Sequence, residues 1–225
     1  MEQTSAMPRE RLVTPRAAAV AGILFSVLLM ISVVLIRISI PGEIQDTGGW
    51  ISESGKTVAL ALNLVPFAGI AFLWFIGVVR DRLGEYEDRF FSTVFLGSGL
   101  LFLAMMFVSA ATASGLISIL QAGSGMPIDS SVYHFGRSTI LQIMNVYTIK
   151  MAGVFMLTTC TLALRTGIFR RWMAFLGIAL ALVLILSFGF TYWAILVFPL
   201  WVLLISLHIL LANLDRSGSD LPQKA

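Results

Sequence analysis

Apolar residues along this chain come in long unbroken runs separated by short polar stretches, with no sustained alternation. Six runs stand out, at about 17–40, 57–79, 91–119, 139–164, 172–189 and 192–212. A helix rises about 1.5 Å per residue, so roughly 20 apolar residues cross about 30 Å of hydrocarbon. Lipid offers no partner to an unpaired N–H or C=O, so such runs predict helices, and the short alternating segments of a barrel are missing. The third run is longer than a crossing needs and should tilt or project. A very short turn near 189–191 separates the fifth and sixth runs and predicts a tight antiparallel hairpin. The fold expected is all-α: a polytopic bundle of six transmembrane helices over 17–212, with tails at 1–16 and 213–225.

Composition supports this reading. Of 225 residues, 58% are hydrophobic and 12% charged, about half the charged share of soluble domains. A water-soluble surface cannot be covered with so few charges. The first run exceeds a signal-peptide core of about 7–15 residues, and Pro41-Gly42-Glu43 follow it in place of a cleavage site, so it reads as a retained helix. The lone Cys160 lies within an apolar run and reads as a packing residue.

The net charge of +3 suggests nucleic acid only until the charges are placed. Arg9, Arg11, Arg16, Arg80, Arg82, Arg89, Arg165, Arg170, Arg171, Arg216 and Lys224 flank the runs on one side, against Arg37, Lys56 and Arg137 on the other. Cytoplasmic loops carry the basic excess, so both termini are expected in the cytoplasm, with lipid rather than nucleic acid as the partner. The outer loops are then 41–56 and 120–138, the second holding Asp129, Tyr133 and His134. Trp50, Trp172 and Trp193 fall near expected interfaces, where aromatic belts form. A three-plus-three transporter repeat finds no echo between the halves, and Pro66 has no counterpart in the fifth run.

Lys150 is the costliest residue. It sits near the middle of the fourth run, too deep to snorkel, where insertion scales charge a lysine roughly 2.5–3.5 kcal/mol. No carboxylate falls in any run to compensate it. It can be accommodated as the neutral amine, beside water, or by neutral groups such as Tyr147, Asn145, Gln142 and Asn63. Tyr147 at i−3 shares its face in a regular helix. The functional expectation is a cavity near Lys150 for a small anionic or carbonyl-bearing ligand. The alternative is a structural or accessory subunit in which these groups enclose Lys150 and fix helix packing. A Schiff-base pigment is disfavoured, since no run supplies a counter-ion.

Asn63 and Pro66 form a second polar break in the second run, with the packing-kink reading ahead of a binding one, and Pro199 reads the same way. His208 is expected at the inner interface. With the two histidines on opposite sides, no metal site is expected, and no cofactor motif is present. Arg37 can snorkel or pair with Asp129 or Glu43. Ser109, Ala110, Ala111, Ala113, Ser114 and Gly115 place small residues at four-residue spacing on the third helix, a surface for close packing with a neighbour, a second copy or a partner membrane protein. An enzyme is disfavoured: Asp129, Tyr133 and His134 alone would have to supply its chemistry.

The segment Gly77-Val78-Val79-Arg80-Asp81-Arg82-Leu83-Gly84 resembles the G-x-x-x-D-R-x-G signature of the major facilitator superfamily, in the same loop. The resemblance implies gating contacts by Asp81 and Arg82. The chain departs from that pattern at Glu85 and Tyr86, where basic residues are expected, and six helices are half of a facilitator. LGEYEDRFFSTVFLGSGLLF at 83–102 and RTGIFRRWMAFLGIALALVLILS at 165–187 resemble segments of small bacterial integral membrane proteins of unknown function, which implies a bacterial inner membrane.

Overall fold

The computed structural model describes residues 14–40, 50–83, 89–122, 130–167, 171–186 and 193–219. They form α1 (Thr14–Ser39), α2 (Trp50–Leu83), α3 (Arg89–Ala122), α4 (Ser130–Gln142), a π-helical segment (Ile143–Thr148) and α5 (Ile149–Thr166). After these come α6 (Arg171–Leu186), a 3-10 turn (Ala194–Leu196) and α7 (Val197–Ser219), with no strand among the described residues. The π segment joins α4 to α5, so the three make one continuous rod. Among the described residues, five stretches are long and apolar enough to cross a membrane: Ala17–Ser39, Glu53–Arg80, Phe90–Gln121, Ser131–Thr166 and Ala194–Leu211. The helix α6 has 16 residues, about 24 Å of rise. The turn expected at 189–191 lies outside the described residues.

Many large side chains on the outside are apolar. On α1, Val20, Leu24, Val27, Ile31, Val34 and Ile38 are all exposed, at alternating spacings of four and three. That face suits lipid, as expected of a multi-pass membrane protein.

Contacts pair the helices antiparallel. Phe25 and Ser32 of α1 meet Phe72 and Ala61 of α2. Gly69 of α2 approaches Phe107, and Ile76 approaches Gly99, both on α3. Phe95 and Ser109 of α3 meet Phe155 and Ile140 of the rod. In α5, Gly153 lies so close to α6 that a Cβ there would stand 3.0 Å from the Ala181 carbonyl. Among the described residues α6 lies chiefly along α5 and α7 along α1, and Gly177 of α6 meets Trp201 of α7.

The core is a cluster of phenylalanines. Phe25, Phe72, Phe102, Phe155 and Phe198 converge from α1, α2, α3, α5 and α7, with ring centroids 4.6 Å apart for Phe25–Phe72 and 4.7 Å for Phe102–Phe198. Edge-on and tilted pairs of this kind add about 0.5–1.5 kcal/mol each beyond the area they bury. Cys160 is buried in this core.

Several boundaries correct the sequence reading. The helix α4 begins at Ser130 and α2 at Trp50, inside the expected outer loops 120–138 and 41–56. Apolar length measures hydrocarbon thickness, whereas a helix bonds its own backbone and continues into the headgroup region without apolar side chains. For the same reason Asp81 and Arg82 fall in the last turn of α2 rather than in a loop. Pro199 lies in the first turn of α7, where its missing N–H has no intrahelical partner to lose, so it needs no kink.

Candidate functional site

One half of the bundle is hollow. A cavity of about 400 Å³ lies between the end of α1, the start of α2, the second half of α3 and the α4–π rod, with Trp193 and Ile195 beside it. Most of its wall is aliphatic, including Leu29, Val33, Leu62, Met106, Ile117 and Met144. Its polar groups are Ser32, Arg37, Ser109, Tyr133, Arg137 and Asn145, and no carboxylate is among the described residues that line it.

Local structure explains how these side chains are held. Tyr133 and Arg137 are four residues apart on α4, one helical turn, so both project to the same side. Tyr133 is buried, and Arg137 Nη1 donates to its Oη at 3.2 Å. Ser32 Oγ donates across the helix interface to the Ala61 carbonyl at 2.8 Å, and Ser109 Oγ reaches the Ile140 carbonyl at 3.5 Å. These tie α1 to α2 and α3 to α4 around the cavity. Two guanidiniums from different helices, Arg37 and Arg137, thus line one largely aliphatic space.

The π segment sets the phase of the rod. Thr148 Oγ1 donates to the Ile143 carbonyl five residues back, at 2.9 Å. The wider turn puts Asn145 on the cavity, while Thr148 and Ile149 are buried and Tyr147 is 54% exposed. Single π turns of this kind recur at functional sites.

Of the residues singled out from sequence, Asn145 lines the cavity. Lys150 is half-buried on the first turn of α5, outside the lining, and Gln142 and Tyr147 are exposed on the rod. Asn63 is exposed on α2, whereas its neighbours Leu62 and Val65 face the cavity. The structure thus does not gather the five into one site. On α3, Ser109, Ala110 and Ala113 line the cavity, and Ala111, Ser114 and Gly115 are exposed. Of the enzyme candidates, Tyr133 is buried, His134 is exposed and Asp129 lies outside the described residues. No three His, Cys, Asp or Glu side chains converge among the described residues.

Sequence reasoning passed over Arg37, Arg137, Ser32 and Ser109 as site residues. The readable signal was the Tyr133–Arg137 spacing, which becomes a pair once 130–142 is seen as helix.

Comparison with family models, curated proteins and solved structures finds no match to this chain, so its functional reading rests on the cavity and its residues.

Proposed function

We propose that the protein binds a small amphiphile with an anionic head and carries it between the faces of a bacterial inner membrane. The observation behind this reading is the presence of Arg37, Arg137 and the Tyr133 hydroxyl together in a cavity whose wall is mostly aliphatic. Guanidinium forks match the paired oxygens of carboxylates and phosphates, and an aliphatic wall accepts an alkyl body. The volume of about 400 Å³ falls in the range of small-molecule sites. The basic residues flanking the opposite end of the helices support a reading with both termini in the cytoplasm and the cavity towards the outer face. Lys150, five residues beyond Asn145 and about 7.5 Å further along the rod, offers the next cation on the inward path. Movement past it requires the phenylalanine layer to part, with Asp81 and Arg82 at the inner end of α2 as gating residues.

Calorimetry on protein in nanodiscs, against empty nanodiscs, tests this. Decanoate and decyl phosphate are expected to bind, and decanol at least tenfold more weakly. Hydrogen bonds to charged groups are worth about 1.5–3 kcal/mol, so Arg37→Gln and Arg137→Gln should each weaken the acids roughly 10- to 150-fold. Equal binding of decanol, or unchanged binding by both variants, overturns the reading.

A second reading, a structural or accessory subunit without its own ligand, is favoured by one observation. Tyr133, Arg137, Ser32 and Ser109 already bond within the chain. In that case the arginine variants lose thermal stability and no amphiphile restores it.

A further inference from the structure

The face of α2 that points away from the rest of the chain carries exposed residues Lys56, Leu60, Asn63, Phe67, Ile70 and Trp74, at alternating spacings of four and three. The spacing marks only which face is outward. Asn63 marks what should cover it. The apolar stretch of α2 runs from Glu53 to Arg80, which puts Asn63 about 5 Å from its centre, inside a hydrocarbon layer about 30 Å thick. Its amide makes no hydrogen bond to the described residues. An amide left in lipid is unfavourable by several kcal/mol relative to a bonded one. Pro66, exposed one turn further on, lacks an N–H, so α2 loses one backbone bond beside Asn63. Asn63 therefore presents a carboxamide, both donor and acceptor, on an outward face.

We infer that this face of α2 is a homodimer interface, with Asn63 of one copy hydrogen-bonded to Asn63 of a second. A carboxamide both donates and accepts, so it complements itself across a two-fold axis. Two copies inserted in the same orientation bring their α2 helices together in parallel, with both Asn63 side chains at one depth. Three-and-four spacing suits a left-handed pair, and Phe67 and Trp74, 62% and 70% exposed, supply its apolar contact. At the outer end Glu53 and Lys56 are both exposed on this face, so each copy offers the other an opposite charge. The inference is independent of the cavity and its ligand.

Oxidative cross-linking in membranes tests it, with the wild type as blank because its only thiol, Cys160, is buried. Leu60→Cys and Phe67→Cys should give covalent dimers. Val20→Cys on α1 and Phe175→Cys on α6, at positions equally exposed to lipid, should not. Interhelical hydrogen bonds in bilayers shift association by roughly 3- to 20-fold, so Asn63→Leu should raise the dimer dissociation constant by that factor and Asn63→Gln should largely spare it. Dimers formed as readily at 20 and 175, capture of a different membrane protein at 60 and 67, or an unchanged constant for Asn63→Leu would each overturn it.

Discussion

The two ends of this bundle share α1, α2 and α3 but are packed in opposite ways. At one level five helices each contribute a phenylalanine, and Phe25, Phe72, Phe102, Phe155 and Phe198 close the interior. Towards the other end the same interhelical space receives Ser32, Ser109, Ala110 and Ala113, and it stays open as a cavity of about 400 Å³. Helices diverge or close according to the size and polarity of what they present at each level. The π segment adds to the contrast, since it turns Asn145 to the hollow and Thr148 and Ile149 to the packed side. A void forfeits contacts on its walls, so a bundle able to pack this tightly at one end keeps the other hollow at some loss of stability. That loss is the physical reason to read the hollow end as the site.

The largest expected effect tests the packed end. Phe72 stacks or meets edge-on with Phe25, Phe75, Phe102, Phe155 and Phe198, so Phe72→Ala should destabilise by about 3–5 kcal/mol in reversible detergent unfolding. Leu62→Ala on the cavity wall removes atoms that already lack partners on one side, and a loss below about 2 kcal/mol is expected. Equal losses at the two positions would erase the contrast. Next in size is Gly153→Ala, where the new methyl meets Ile185 Cγ1 at 2.8 Å and the Ala181 carbonyl oxygen at 3.0 Å. A side chain can rotate away but a backbone carbonyl cannot, so α5 and α6 must separate, at about 1–3 kcal/mol. Unchanged stability would show that this helix pair is loose.

How far the sequence revealed this depends on which physical signal each feature carries. Apolar length located the helices, because hydrocarbon thickness constrains it directly, and α1 and α3 start and stop within a few residues of their runs. The start of α4 was missed because Ser130 to Gln142 carries no such apolar signal, and the cavity's Tyr133–Arg137 pair was missed with it. A helix apolar on every side also has no readable phase. Polarity alone therefore groups Asn63 with Lys150, although it faces outward. A shared face for Tyr147 and Lys150 requires a regular period, which the π segment interrupts. Asn145, on the inward side of that interruption, is the one residue of the group that reaches the cavity.

The smallest expected effect is the sharpest test of the hollow end. Ala113 lines the cavity from α3, with Ala110 one turn before it. In a filled core, Ala→Leu forces neighbours off their rotamers and destabilises by about 1–3 kcal/mol. Here the added carbons enter open space and gain contacts with Leu62, Val58 or Ile117, which line the same space. Ala113→Leu should therefore leave stability within about 1 kcal/mol of wild type, on the stabilising side, since each newly buried methylene is worth up to about 0.8 kcal/mol. The same change takes volume from the ligand, so decanoate binding should fall even though Arg37 and Arg137 are untouched. A destabilised Ala113→Leu variant would mean that the walls close on the space in solution. A stabilised variant that still binds would keep the cavity and move the ligand elsewhere, with Lys150 on the neighbouring rod as the next cation to substitute.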